Sequence, residues 1–201
     1  MGLITIEMFA TLDLVGQAPG GPEEDPAGFP FGGWQAPLLD EVGGAQIGAA
    51  YEGTDALLLG RRTYDIFAGY WPHQSGGEDG GIATLFNSIP KYVASRGTPD
   101  LPWEGSTQLG PNLADAVREI RDRHEDVKVV GSLNLVQTLL REKLFDRIDL
   151  WLRWCSASGR RCSRTARCPP TSRSSRRPRP ARRALCSCAT GSPTARPRRG
   201  T

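Results

Sequence analysis

Cysteine is missing from residues 1–152 of this 201-residue chain, and all five cysteines follow Leu152. The first 152 residues therefore offer neither a disulfide framework nor a thiolate metal site. No apolar run approaches the roughly 20 residues that span a bilayer. Residues 1–7 also lack the basic start and long apolar segment of a signal peptide. We therefore expect a cytoplasmic protein that does not act at a membrane.

Residues 153–201 lack lysine, aspartate and glutamate, contain fourteen arginines, and have Leu185 as their one large aliphatic residue. Residues 1–152 carry all 22 acidic residues and eleven basic ones, a net charge of −11. The overall charge of +3 thus averages two unlike segments. Because a segment without apolar residues has nothing to bury, we expect a folded domain over residues 1–152 and a disordered, Arg-rich tail over residues 153–201.

Strands alternate with helices along residues 1–152. Aliphatic and β-branched runs predict strands at residues 3–9, 55–59, 91–95, 127–130 and 145–152. Helices are predicted at residues 37–51 and after Gly60, Asn112 and Ser132. The alternation predicts an α/β layer fold with a largely parallel sheet. Residues 16–33, rich in glycine and interrupted by four prolines, are expected to form a loop that is either functional or disordered.

The first candidate ligand site is the passage from strand to helix at Gly60. Ligands of parallel sheets lie beyond the carboxyl ends of the strands, where the free N–H groups of a helix start attract anions. Gly60 lets the backbone approach a ligand, and Thr63 can cap the helix or donate a hydrogen bond. Arg61 and Arg62 can form paired hydrogen bonds with a phosphate. The pattern therefore indicates phosphate binding.

A second passage of this kind, at Gly131 and Ser132, is uncharged and suits a pyrophosphate held by backbone amides. Neither passage identifies a ligand by itself, since glycine before a helix is common and paired arginines usually face solvent.

Three other positions, namely Ser95, Arg96 and Asp13, have both a functional and an ordinary structural interpretation. Ser95 and Arg96 end a predicted strand, where they either contact a further phosphate or form a simple turn. Asp13 follows the first strand, where it is either a proton donor or hydrogen-bond anchor for a ligand, or bonds its own backbone. His73 and His124 have no carboxylate or cysteine at ligand spacing, so we expect no metal site.

Several motifs, in the right order, resemble the dihydrofolate-reductase-like family. The resemblance is closest to the reductase domain of the riboflavin-biosynthesis deaminase/reductase (RibD C-terminal domain-like), and it covers residues 3–152. The motifs are Thr-Leu-Asp at 11–13, Gln-Ala-Pro-Gly-Gly-Pro at 17–22, Ala-Leu-Leu-Leu-Gly-Arg-Arg-Thr-Tyr at 56–64, Tyr-Trp-Pro at 70–72, Ile-Pro-Lys-Tyr-Val-Ala-Ser-Arg at 89–96 and Val-Val-Gly-Ser-Leu at 129–133.

The resemblance implies a three-layer α/β fold with a mixed, mostly parallel sheet, and NADPH as the cofactor. The implied cofactor-binding residues are Gly60, Arg61, Arg62 and Thr63 at the phosphates, Ser95 and Arg96 at the 2′-phosphate end, and Gly131 and Ser132 at the pyrophosphate. Asp13 is implied as the catalytic residue on the substrate side, and the loop of residues 16–33 is implied to lie over the nicotinamide and the substrate. Family members usually have glycine where this chain has Leu14 and Ser132.

The resemblance implies an NADPH-dependent reductase that transfers a hydride to a C=N or C=O bond of a pteridine-, pyrimidine- or sugar-derived substrate. The expected partners are a small heterocyclic substrate and a second copy of the chain in a homodimer, with no nucleic acid and no membrane. Two alternatives stay open. One is a non-catalytic nucleotide-binding module. The other is a nucleic-acid-binding protein whose basic tail contacts phosphate backbones.

The resemblance also implies a glycine-containing loop and two further strands after Leu152, which residues 153–201 cannot supply. Our hypothesis is that one frameshift near Arg153 accounts for the difference. Trp, Cys and TC-type Ser codons begin with T, and moving the frame by two bases makes that T a middle base, which always encodes an apolar residue. Read in this way, residues 183–190 become an alternating strand. We therefore expect the closing strands to be missing, which predicts reduced stability and poor activity for this chain.

Overall fold

The structure is a computed structural model that describes residues 2–77 and 80–153 and the backbone of a strand at Cys186–Ala189. The strands of the described part are β1 Leu3–Thr11, β2 Ala56–Gly60, β3 Lys91–Ala94, β4 Ser106–Gln108, β5 Asp126–Gly131, β6 Arg147–Arg153 and β7 Cys186–Ala189. Its helices are α1 Glu41–Ala50, α2 Arg61–Tyr70, α3 Gly80–Ser88, α4 Leu113–Arg123 and α5 Leu133–Glu142, with short 3₁₀ helices at Ala36–Leu38 and Trp71–His73.

The strands form one sheet in the order β4-β3-β2-β5-β1-β6-β7. β1 to β6 are parallel, and β7 runs antiparallel to β6. The first strand of the chain therefore lies inside the sheet, between β5 and β6. Parallel neighbours need long crossover connections, which the helices provide. The largely parallel sheet that the sequence predicts is confirmed, and so is the mixed sheet that the resemblance implies.

Helices α4 and α5 cover one face of the sheet. Val117 and Ile120 lie on one side of α4, and Leu135 and Leu139 lie on one side of α5, because residues three or four apart share a helix face. These side chains pack against sheet residues Ile4, Ile6, Leu58, Val127 and Val129. Burial of each such aliphatic side chain stabilises the fold by roughly 1.5–3 kcal/mol.

Helices α1, α2 and α3 cover the opposite face and complete the three layers. They contribute buried Ile47, Tyr64 and Phe86, respectively, to a cluster that includes Leu57, Leu59 and Val93 of the sheet. Aromatic rings fill much of this layer, with the Tyr51 and Phe86 centroids 5.1 Å apart in an edge-to-face arrangement. Both faces of the inner strands are thus covered, as a parallel sheet requires.

The predicted helix at residues 37–51 is divided in the structure. Asp40 adopts an extended conformation and its carboxylate accepts a hydrogen bond from Gly43 N at 2.8 Å, so α1 begins only after it. The predicted cap at Asn112 is confirmed, since its side-chain oxygen accepts from Asp115 N at 3.4 Å. Helix α3 and strand β4 were not predicted, because α3 begins with two glycines and β4 has three residues.

The carboxyl-terminal part requires one correction. β6 ends at Arg153, one residue beyond the predicted domain boundary, and β7 pairs with Arg147–Leu150 of β6. The expectation that nothing after β6 joins the sheet is therefore wrong for residues 186–189, because β6 has an open edge on which a further strand can pair. The expected disorder concerns residues 154–185 and 190–201, which lie outside the described residues.

Candidate functional site

The carboxyl ends of β2 and β5 lie side by side at one edge of the sheet. Leu59 of β2 pairs with Gly131 of β5, which brings the end of β2 beside the start of α5. Helix α2 begins after Gly60 and α5 begins after Ser132. Two helix N-termini therefore open at one point of the sheet edge. We call this point, formed by Gly60, Thr63, Gly131 and Ser132, the Gly60–Ser132 junction.

The Gly60–Ser132 junction is packed so closely that two of its residues must be glycine. A Cβ placed on Gly60 would collide with the Ser132 side chain and lie 2.8 Å from the Ser132 backbone N. A Cβ on Gly131 would lie 2.7 Å from Thr63 Oγ1, and Gly131 has a φ of 144° that side chains disfavour. The Gly131–Ser132 peptide bond is cis. Close contacts thus explain why both of these positions, which the sequence analysis selected, are occupied by glycine.

Neither helix start at the junction is capped by its own N-cap side chain. Gly60 has no side chain to offer, and the hydroxyl of Ser132 forms no cap hydrogen bond to α5. The first N–H groups of a helix have no partner within the helix, and they carry a partial positive charge. In the described part of the chain, the junction therefore presents two sets of backbone donors that can bind anionic groups.

The two arginines after Gly60 both contact carboxylates of the protein. Arg61 Nε lies 2.7 Å from the Asp65 carboxylate one turn along α2, and this hydrogen bond raises the pKa of Arg61. Arg62 Nη2 donates to Asp25 Oδ1 at 2.5 Å and to the Glu24 carbonyl oxygen at 3.0 Å. Arg62 therefore contacts the loop between β1 and α1, a contact that the motif itself does not indicate.

Residues 16–33, which we call loop A, fold around Asp25. Its side chain is 3% exposed and accepts hydrogen bonds from Ala27 N at 3.0 Å and from Gln17 Nε2, in addition to Arg62. The Arg62 hydrogen bond, followed by those from Ala27 and Gln17, lowers the pKa of Asp25 below its ordinary value. Asp25 is thus a buried carboxylate that stays ionised at neutral pH because donors surround it.

The two ends of loop A are also bonded to each other. Trp34 Nε1 donates to the Gln17 carbonyl oxygen at 2.9 Å, and Gly33 N donates to the Ala18 carbonyl oxygen at 2.9 Å. A loop whose ends meet and whose interior holds its own hydrogen bonds is a compact Ω-type loop. The structure therefore shows an ordered loop and not the disordered alternative, whereas a functional role for loop A stays a prediction.

Asp13 lies just past the end of β1, at the same sheet edge as the Gly60–Ser132 junction. It is partly buried, and the hydroxyl of Thr11 donates to its carboxylate. Thr11 itself has no exposed surface, and its hydroxyl accepts from Val15 N at 3.0 Å. Leu14, where the family usually has glycine, has a φ of 63°. The strand order places β5 between Asp13 and β2, so Asp13 lies on the far side of the junction from Gly60.

Ser95 and Arg96 follow β3, the neighbour of β2 on the side away from β5. Gly97 N donates to Ser95 Oγ at 3.3 Å, which is the turn that the ordinary interpretation predicts, and Arg96 is exposed. Ser95 and Arg96 thus lie at the same edge of the sheet as Gly60, one strand away from it. The roles of all nine predicted site residues stay predictions.

A buried ion pair inside the sheet was missed by the sequence analysis. Glu7 of β1 has no exposed surface, and its Oε1 lies 3.5 Å from Lys128 Nζ of β5. Trp151 Nε1 of β6 donates to Glu7 Oε2 at 2.8 Å. Burial raises the pKa of Glu7, while Trp151 and Lys128 act in the opposite direction. The alternation along β1 places Glu7 on the opposite face of the sheet from Ile6. Only the strand order shows that both faces of the sheet are buried there.

An open groove of about 620 Å³ is lined by α1, α3 and the segment that precedes β2. Its lining includes Gly44 and Gly48 of α1, Tyr51, and Ile82 and Leu85 of α3, and none of the predicted site residues. Among the described residues there is no helix long and apolar enough to cross a bilayer, and no group of three metal-ligating side chains. The polar features at the sheet edge therefore define the candidate site better than this groove does.

No protein-family model and no curated protein matches this chain. Among solved structures, a protein from Shewanella sp. PV-4 described as a riboflavin biosynthesis protein aligns with a TM-score of 0.52 and 16% identity, over 77% of this chain and 78% of that chain. Dihydrofolate reductase from Enterococcus faecalis, complexed with NADP(H) and RAB-propyl, aligns with a TM-score of 0.47 and 13% identity, over 77% and 73% of the two chains. The chain therefore shares the fold of the Shewanella protein, and the three-layer α/β arrangement that the resemblance implies is confirmed.

Proposed function

We propose that this chain is an NADPH-dependent reductase of the dihydrofolate reductase/RibD C-terminal class. It would transfer a hydride to a C=N or C=O bond of a pteridine-, pyrimidine- or sugar-derived substrate, as 5-amino-6-(5-phosphoribosylamino)uracil reductase or dihydrofolate reductase does. The observation that carries the proposal is the Gly60–Ser132 junction, where two uncapped helix N-termini open side by side at the carboxyl edge of a parallel sheet.

The geometry of the junction supports a dinucleotide better than a single anion. A pyrophosphate carries two adjacent charges, and α2 and α5 offer two adjacent sets of backbone donors. The absence of a Cβ at Gly60 and Gly131 keeps the two strand ends in close contact. In the proposal, Thr63 and the two arginines contact the cofactor phosphates beside Gly60, and Ser95 and Arg96 contact the 2′-phosphate end one strand away. The cofactor supplies the hydride, and the protein orients it and excludes water.

Asp13 is the proposed catalytic residue on the substrate side. Its carboxylate lies beyond the end of β1, next to β5, and the Thr11 hydroxyl fixes its orientation. A carboxylic acid at this place can supply a proton to the atom next to the one that receives the hydride. Asp13→Asn keeps the shape and removes the acid, so we expect it to lower kcat strongly while leaving NADPH affinity unchanged.

NADPH titration by quenching of tryptophan fluorescence tests the cofactor, and loss of nicotinamide absorbance with candidate pteridines and pyrimidines tests the reaction. Gly131→Ala should abolish NADPH binding, whereas Gly69→Ala should not, because a Cβ on Gly69 meets no atom within 4 Å. Absence of NADPH binding in the parent chain would overturn the proposal. Tight binding without oxidation of NADPH by any candidate substrate would favour the non-catalytic nucleotide-binding module instead.

The frameshift near Arg153 bears on whether this chain is active, and it stays a prediction. The nucleotide sequence of the gene tests it directly, since an alternative frame without apolar codons or with early stops would exclude it. A frame-repaired chain should unfold at a higher temperature and bind NADPH more tightly than the 201-residue chain. Equal melting temperatures and equal affinities would show that residues 153–201 reduce neither the stability of the domain nor its binding of NADPH.

A further inference from the structure

Arg62 joins loop A to the start of α2 through one end of its guanidinium group. The bonds to the Asp25 carboxylate and to the Glu24 carbonyl oxygen both come from Nη2. A guanidinium group has five N–H donors, and the Arg62 side chain is 51% exposed. Donors therefore remain for a further anion while the contact with loop A is kept.

Asp25, in contrast to the exposed Arg62, is enclosed by the protein. Its side chain is 3% exposed, and one of its three donors lies outside loop A, namely Arg62. A buried carboxylate that loses a charged donor keeps its desolvation cost, so its neighbours must rearrange or admit water. The position of Asp25 within loop A and the position of Arg62 on α2 are therefore tied to each other.

We propose that Asp25 is a positioning residue that, through Arg62, joins loop A and the N-terminus of α2 into one unit. An anionic group bound at the Gly60–Ser132 junction and the order of loop A then stabilise each other. This inference rests on the proposed function, because the anionic group is a phosphate of NADPH. Linkage is reciprocal, so a change that loosens loop A weakens NADPH binding, and NADPH in turn protects loop A.

The neighbouring ion pair on α2 shows what an ordinary surface contact would look like. Arg61 and Asp65 are one helical turn apart, and their side chains are 39% and 48% exposed. Such a pair contributes little and involves no other segment. Asp65→Asn is therefore a matched control for Asp25→Asn, because each removes one carboxylate charge beside one of two adjacent arginines.

The test combines amide hydrogen exchange of residues 17–35 with NADPH titration, on the full chain and its variants. Asp25→Asn should speed exchange of the Gly33 amide in loop A by roughly tenfold, the scale of one hydrogen bond to a charged group. It should also weaken NADPH binding by roughly fivefold or more. NADPH should slow loop A exchange in the parent chain, and Asp65→Asn should match the parent in all three measurements.

Arg62→Gln serves as a second variant that changes an exposed side chain and should loosen loop A in the same way without NADPH. Unchanged exchange in both variants would overturn the inference and leave the proposed function intact. Faster exchange with unchanged NADPH affinity in Asp25→Asn would also overturn it, because loop A and the junction would then be independent. No NADPH binding by the parent chain would instead refute the proposed function, and with it the linkage, whatever the exchange shows.

Discussion

Leu14 occupies a backbone conformation that glycine adopts at little cost. Its φ is 63°, in the left-handed region, and its side chain is 71% exposed. The turn is fixed from both sides, since Leu14 N donates to the Thr11 carbonyl oxygen at 2.9 Å and Thr11 N donates to the Val15 carbonyl oxygen at 3.0 Å. The backbone there cannot relax without breaking the end of β1, so the conformational cost is present in the folded state.

Comparing glycine with alanine at this position removes the effect of losing the leucine side chain. A residue with a Cβ costs roughly 1–2 kcal/mol in the left-handed region. Relative to alanine, glycine lowers the free energy of unfolding by about 0.4–1 kcal/mol, because it gives the unfolded chain more conformational freedom. Leu14→Gly should therefore exceed Leu14→Ala in the free energy of unfolding by about 0.5–1 kcal/mol. At about 2–4 °C per kcal/mol for a chain of this size, the difference in Tm is about 1–4 °C.

Leu12 gives the matched control, because it lies in the same turn, is 54% exposed and does not have a positive φ. There the order should reverse, with Leu12→Ala more stable than Leu12→Gly by about 0.4–1 kcal/mol. Urea unfolding of the four variants, followed by tryptophan fluorescence, measures both differences. If glycine is no better than alanine at position 14, the left-handed conformation does not burden the native state and the reasoning fails.

Three further predictions concern the junction and two buried charges. Gly60→Ala should lower the free energy of unfolding by roughly 1–3 kcal/mol through overpacking, whereas Gly69→Ala should raise it by up to about 1 kcal/mol; equal urea midpoints would show that the junction tolerates a Cβ. Because burial raises the pKa of Glu7, its native form holds a proton more tightly than its unfolded form. The stability of the parent chain relative to Glu7→Gln should therefore fall as pH rises above 4.5, and a difference independent of pH would contradict this. Burial lowers the pKa of Lys91 from 10.5 to about 8, so between these pH values the unfolded chain binds a proton that the folded chain does not. The free energy of unfolding of the parent chain relative to Lys91→Met should therefore increase between pH 8 and 10.5. Parallel pH profiles of those two proteins would count against a depressed Lys91 pKa.

The parallel core of the fold could be predicted from the sequence because its signals are local. Runs such as Ala56–Gly60, followed by an amphipathic helix, determine one strand and its crossover without reference to the rest of the chain. The elements that were missed depend on distant partners. Helix α3 is stabilised by Phe86 packing among other aromatic rings, and β4 consists of three residues that pair with β3. Neither interaction leaves a periodic pattern in its own segment.

The candidate site was predictable in its glycines but not in its charged contacts. Gly60 and Gly131 are recognisable because each stands between a buried strand and a helix. The role of Asp25 is not, because it lies in an acidic run that is typical of a solvated surface, and its partner Arg62 is far away in the sequence. Glu7 has the alternation of a half-exposed strand, and only the position of β1 between β5 and β6 buries it. Local chemistry identifies donors, whereas topology decides which of them meet.

The central position of β1 also has a consequence for folding during synthesis of the chain. β1 leaves the ribosome well before its two neighbours, since β5 and β6 are completed only at Gly131 and Arg153. At the usual rate of about 5–20 residues per second, its edges wait on the order of ten seconds for their partners. During that time an apolar strand is open to pairing with other nascent chains. Folding of this topology is therefore sensitive to the speed of translation through α4 and α5, and to chaperones that shield β1 meanwhile.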